Sequence, residues 1–345
     1  MSRQRAAAER RRKRYTVAAW LGAAALVLLW LSLVSGTDGV RVSETAALLR
    51  PWSGTEGLIF GQIRLPRALG AFAAGAALGL SGALMQGALR NPLASPYTLG
   101  IAHAAGFGAS FAIVVLQAYG AQTAFGAQLT VAGLAFVASM ACSVLIVWLG
   151  RYADMRPGSL ILLGVALGSL FGASTMFLQY FATDTDAAAT LFWTFGDMGK
   201  ADWTNVAVTL GVTAAVLYRF WRRHWQLDAL GFGDESAKSL GVAVEGVRLE
   251  TMLLGALLAS TAVAYFGIIG FVGLVAPHLV RLVAGGAHAA LLPISALAGG
   301  VLLMGADLAA RLVLLPAILP VGILTAFLGV PLFIYLLVTR GRRWD

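Results

Sequence analysis

The chain has 345 residues, of which 59% are hydrophobic and 12% charged, and a mean hydropathy of +0.80, outside the range of soluble globular proteins. This composition argues against a soluble enzyme and for a polytopic membrane protein. The net charge of +9 clusters at the ends of apolar runs, where it faces anionic headgroups and fixes topology, so it argues against nucleic acid as a partner.

Residues 1–14 form a basic N-terminus, RQRAAAERRRKR within it. The apolar run 15–37 lacks a small-residue cleavage site and reads as a first span rather than a signal peptide. Further runs without Asp, Glu, Lys or Arg cover 68–89, 91–150, 157–183, 203–218, 251–280, 282–306 and 312–339. About 20 apolar residues cross a bilayer core, so 91–150 holds two spans turning near Gly120 to Gly126. The run 251–280 is interrupted by Gly267, Gly270, Gly273 and Pro277. Two spans there make ten in all. That count puts the basic N-terminus and the C-terminal Arg340, Arg342 and Arg343 together in the cytoplasm, as the positive-inside rule requires. The expected fold is all-α, ten transmembrane helices in a single domain, 1–345, with small-residue runs such as AFAAGAALGLSGALMQGAL (71–89) letting helices approach closely.

In LRNPLASPYTLG (89–100), Pro92 and Pro96 bracket a segment in which Asn91 and Ser95 lie on irregular backbone. Membranes tolerate such backbone where it is buried or water-lined, so the segment is either part of a pathway or a cytoplasmic turn. Cys142 is alone in an apolar span. His103, His224, His278 and His288 have no metal-ligand spacing and no catalytic Ser, His and Asp set is recognisable, so neither a metal site, a cofactor nor enzyme chemistry is expected. The stretch GFGDESAKS (231–239) approaches a nucleotide-binding loop but has Phe232 and Ala237 where that loop needs glycine. Asp307 is costly in an apolar run and can pair with Arg311 four residues on, in a structural or a transport role. A weak inverted repeat relates the segments beginning at Arg64 and Arg248.

RLPRALGAFAAGAALGLSGALMQGALRNPLASPYTLG (64–100), LGFGDESAKSLGV (230–242), GIIGFVGLVAPHLVRL (267–282) and LPVGILTAFLGVPLFIYLL (319–337) occur in that order. Together they resemble the FecCD-type permeases of ATP-binding cassette importers for siderophores, haem and cobalamin. The resemblance implies a homodimer of ten-span subunits in the bacterial inner membrane, a path along the dimer axis, two cytoplasmic ATPase subunits, and a periplasmic binding protein that delivers a metal chelate, an iron-siderophore first, with haem, cobalamin and oxyanion cargo behind it.

It further implies that the cytoplasmic loop 221–247 contacts the ATPase through Gly233, Asp234, Glu235, Ser236, Ala237, Lys238, Leu240 and Gly241. Asp234 would cap a short helix there and Gly241 would end it. Docking of the binding protein falls to Arg64, Arg67 and Arg311. The gate maps to Arg151 to Gly158. The path is expected along Asn91, Pro92, Ser169, Ser174, Thr175, Met176 and Gln179. His278 matches the family's Pro-His-x-x-Arg in VAPHLVR. The outer loop departs from the siderophore permeases, with Asp184, Asp186, Asp197 and Asp202 either disfavouring an anionic chelate or facing water. An ion-gradient-driven secondary transporter is the alternative, consistent with the inverted repeat and Asp307 but not with so long a cytoplasmic loop.

Overall fold

The structure is a computed structural model that describes residues 3–36, 39–40, 57–121 and 124–340; Arg342 and Arg343 of the topology argument lie outside them. The chain is a helical bundle. In order, its main helices are α1 (Arg3–Val34), α2 (Leu65–Ala88), α3 (Ile101–Ser110), α4 (Ala124–Arg151), α5 (Pro157–Tyr180), α6 (Asp184–Thr194), α7 (Trp203–Trp221), α8 (His224–Leu230), α9 (Asp234–Ser239), α10 (Val244–Phe266), α11 (Val272–Ala284), α12 (His288–Leu312) and α13 (Val321–Arg340). Wide helical turns extend α2 backward over Ile59–Arg64 and α3 forward over Phe111–Val115. Each charge-free run contains a helix, and 91–150 and 251–280 each hold one long helix and one shorter one.

Among the described residues, six helical stretches are long and apolar enough to cross a membrane: Arg11–Val34, Ile59–Ala88, Gly126–Arg151, Pro157–Tyr180, Val244–Phe266 and His288–Leu312. Ile101–Val115, Val272–Ala284 and Val321–Tyr335 are apolar but shorter.

The small residues of α2 explain its place at the centre. Twenty of its 24 residues are buried, because neither Gly nor Ala holds a neighbour at a distance. Gly75 faces Gly299 of α12 and Gly82 faces Gly273 of α11, each so closely that a β-carbon would meet the opposite backbone carbonyl. These contacts replace the hydrophobic drive that lipid removes. α2 also runs antiparallel to α10: Ala88 lies beside Arg248 at one end and Gly70 beside Phe266 at the other.

Two helices begin partway through the apolar layer. Pro96 reaches the space around Gly273, which also faces Leu78. Leu78 is ten residues before the end of α2, so the segment after α2 turns back roughly 15 Å into the bundle before α3 starts. Its backbone is satisfied locally: Leu93 N–H donates to Asn91 Oδ1 (2.8 Å), Ser95 N–H to Thr98 Oγ1 (3.0 Å), and Leu99 N–H to Ser95 O (3.2 Å). That is the condition for irregular backbone at such depth. The α10–α11 link behaves alike, with Gly267 at φ 79° and Phe271 at φ 65°.

Candidate transport site

Three clusters of polar or open structure stand out: one at each end of the bundle and one between.

At the end where α2 finishes, α9 is a six-residue helix, Asp234–Ser239. Gly233 is its N-cap at φ 104°, a backbone that favours glycine. The expected cap by Asp234 is not formed, because that side chain is engaged elsewhere. Arg248 Nη2 donates to Asp234 Oδ1 at 2.8 Å, and Arg90 Nη2 lies 3.1 Å from the same oxygen. Burial pushes the Asp234 carboxyl up, but Arg248, Arg90 and Lys238 more than offset it and hold it below the ordinary carboxylate range. Gly241 does end the helix, at φ 80°, with Val242 N–H returning to Ala237 O (3.0 Å) and Gly241 N–H to Lys238 O (2.9 Å), a glycine-terminated C-cap. Ala237 is fully buried beneath, while Phe232 and Leu240 on either side are 76% and 62% exposed. The preceding helix α8 is tied down by Asp228, which accepts from the backbone N–H (2.9 Å) and pairs with Nδ1 (2.7 Å) of His288. Burial raises the Asp228 carboxyl and the His288 contacts lower it further than that, leaving it depressed.

Between the ends lies an apolar cavity of about 570 Å³. Both backbone breaks open into it, through Tyr97 on one side and Ile268, Gly270 and Phe271 on the other. The end of α6 (Thr194, Phe195) and one face of α13 (Gly322, Phe327, Val330) complete the wall. Among the described residues, none that lines it is charged. Asn91 and Pro92 are half-buried but outside its wall, and Asn91 spends its side-chain oxygen on the turn. The expected path residues of α5 are outside it as well. Ser169, Ser174 and Thr175 donate to Val165 O, Leu170 O and Phe171 O within their own helix, Met176 is 71% exposed and Gln179 is half-buried. The open side of α5 is therefore a free surface of a single chain, while its packed side is held to α3 by Gly164 and Gly168 against Leu99 and Gly100. His278 is buried in α11 at 7% exposure.

At the opposite end, Asp307 is 1% exposed and is gripped by Arg67 through Nε (3.1 and 3.2 Å) and Nη2 (2.8 Å), while Arg311 Nε pairs at 3.3 Å. Arg311 Nη1 also donates to Ser32 O (3.3 Å), and Arg64 Nη1 to Leu33 O (2.6 Å). Both thus sit at the C-terminal end of α1, where helix carbonyls favour a cation. Of the three arginines expected to face a partner, Arg67 and Arg311 are held by Asp307, Arg311 being buried, and Arg64 is half-buried against the end of α1. The acidic loop is structural in most of its members: Thr183 and Asp186 bond reciprocally at the start of α6, Asp197 accepts from Gly199 N–H (2.7 Å), and Asp202 accepts from Asn205 N–H (2.8 Å) as the cap of α7. Lys200 lies over the Trp193 ring at 5.8 Å, its amine lowered by burial against the opposing charge of Asp197.

The cavity face of α13, Phe271 and the polar contacts of Arg248 come together only in the folded chain. The glycines at 267, 270 and 273 were a signal, but one that read as a turn between spans.

Long apolar helices packed through glycine, two of them starting at mid-depth beside an uncharged cavity, are the architecture of a polytopic membrane bundle. Comparison with known proteins agrees. The model of the FecCD transport family matches residues 24–339. A chain of Methanocaldococcus jannaschii assigned as an ABC transporter permease protein is 47% identical over 83% of each chain. The hemin transport system permease protein of Yersinia pestis is 39% identical over 81% of this chain and 82% of its own. A solved structure described as an inward-facing conformation of a metal-chelate type ABC transporter has a TM-score of 0.80 at 30% identity, covering 92% of this chain and 97% of that one. The chain belongs to the FecCD transport family, and it is a transport subunit rather than an enzyme.

Proposed function

We propose that the chain is the permease subunit of an ATP-binding cassette importer that moves a metal chelate into the cytoplasm. It works as a homodimer of ten-span subunits with both termini cytoplasmic, two ATPase subunits on the α9 side and an extracytoplasmic binding protein on the Asp307 side. Metal-chelate cargo is supported by the description of the structural neighbour and by the hemin permease among the relatives.

The observation that carries this reading is the α8–α9 segment. It supplies a short helix, pinned underneath by Ala237 and Asp234 and flanked by the exposed Phe232 and Leu240. That arrangement suits a helix seated in a groove of another protein. Phosphate is a poor ligand for it, since Asp234 and Glu235 open the helix. The path uses the uncharged cavity together with the open face of α5 carrying Ser169, Ser174, Thr175, Met176 and Gln179, brought face to face with its copy across the dimer axis. Ion-gradient coupling through Asp307 is disfavoured by the two arginines that neutralise it.

Co-purification with the ATPase subunit tests the assignment. The wild-type chain should retain the ATPase through detergent extraction, and replacing both Phe232 and Leu240 by Ser should release it while leaving the fold intact. Equal retention by both would count against the α9 contact.

A further inference from the structure

Arg248, in the second turn of α10, is 1% exposed. Its guanidinium holds three separate elements: Nε donates to Ala88 O at the end of α2 (3.1 Å), Nη1 to Met155 O in the α4–α5 turn (3.1 Å), and Nη2 to Asp234 in α9 (2.8 Å). Terminal helix carbonyls lack intrahelical donors and carry partial negative charge, so a cation is well placed between them even without water.

The two turns joined in this way have a second property in common. Arg90 just after α2 (φ 46°), and Asp154 (φ 52°) and Met155 (φ 51°) after α4, are non-glycine residues in the left-handed region. Such conformations cost energy and persist where the surroundings over-determine them. Arg248 supplies that constraint directly at Met155, and through Ala88 O it also fixes the last turn of α2, just before Arg90. Asp234 supplies it at Arg90, through the 3.1 Å pair. The α4–α5 turn therefore has a direct polar tie, through one buried side chain, to the short helix on the surface.

We propose that Arg248 is a positioning residue that transmits displacement of α9 to the α4–α5 turn, so that residues 151–156 move when the partner bound at α9 moves. This rests on the reading of α9 as the ATPase contact. The linkage depends on a planar group with donors in three directions. A lysine keeps the charge facing Asp234 but offers one flexible nitrogen and cannot span the same three acceptors.

The test uses the permease and ATPase complex in vesicles, with hemin delivered by its binding protein as the cargo probe and a nitroxide on Tyr152→Cys, a position 78% exposed, the native Cys142 being buried. The separation of the two labels across the dimer is measured without nucleotide and after trapping with ATP and vanadate. The unmodified linkage should give a change in separation on trapping. Arg248→Lys should still hydrolyse ATP, show no change in label separation, and lose uptake per ATP by about 5- to 150-fold, the usual span of coupling effects. A full change in separation in Arg248→Lys would overturn the proposal. If that variant does not assemble, Asp234→Asn, which leaves the guanidinium and both carbonyls in place, is read with the same label; an undiminished change there overturns it too. A complex with Arg248 intact that shows no ATP-dependent uptake of any chelate would instead defeat the function proposed above, and the linkage with it.

Discussion

Arg67 and Asp307, 240 positions apart in sequence, form a two-pronged ion pair beneath the surface of the bundle, with Arg67 Nη2 2.8 Å from Oδ1 and Nε within 3.2 Å of both oxygens. Arg311 adds a second cation on the other side. The cluster joins the start of α2 to the end of α12. Its three charges are unequal in importance: one carboxylate restrains two guanidiniums.

Removing the carboxylate should therefore cost more than removing one of its partners. Asp307→Ala leaves two buried cations uncompensated and is expected to destabilise by about 3–5 kcal/mol, whereas Arg67→Ala leaves Arg311 in place and should cost less. Thermal unfolding in detergent checks the order, and the reverse order would contradict the assigned pairing.

Arg64, whose guanidinium also holds the end of α1 through Leu33 O, is proposed to contribute to docking of the extracytoplasmic partner. Arg64→Glu should slow association of the cognate binding protein several-fold at low salt, with the difference shrinking as salt screens it. Surface plasmon resonance across an ionic-strength series reads this out; identical rates for both forms would remove Arg64 from the interface.

The glycine contacts predict opposite outcomes for one kind of substitution. Gly82→Ala drives a methyl into the Gly273 carbonyl, and overpacking of that kind typically costs ~1–3 kcal/mol or more. Gly211→Ala on α7 meets nothing within 4 Å and should gain roughly 0.5–1 kcal/mol from helix preference. Melting temperatures of the two variants, moving in opposite directions from wild type, are the expected result.

Acid should loosen the α8–α9 segment. Asp228 and Asp234 both titrate below their ordinary value in the folded loop, so the folded form binds protons more weakly than the unfolded one. Their contribution is complete above the unfolded carboxylate value of about 3.9 and disappears as pH falls through the depressed folded values. Pepsin cleavage within 224–242, followed from pH 5 to pH 2, should appear only at the acid end. Equal cleavage across that range would contradict the two anchors.

The helices were legible because charge spacing in a membrane chain is close to a direct record of where helices begin and end. The run 157–183 and helix Pro157–Tyr180 illustrate this. Gly241 was legible as a helix end for a similarly local reason. Asp234 was misread because its sequence position suits a cap, while its partner Arg248 lies 14 residues away on another helix. The cavity was hidden for the same reason. Tyr97, Phe271 and Phe327 are ordinary apolar residues in sequence and converge only when the two backbone breaks meet α13. Helical phase drew attention to hydroxyls on α5, but those bond to their own backbone.

In the function proposed above, a separate ATPase drives this chain to import a chelate. Uptake into proteoliposomes holding the permease and its ATPase, with the loaded binding protein added at the extracytoplasmic face, tests it most directly. Accumulation that requires ATP on the α9 side, stops with vanadate and ignores a collapsed proton gradient is the predicted result. Accumulation that continues without the ATPase and follows an ion gradient would contradict it.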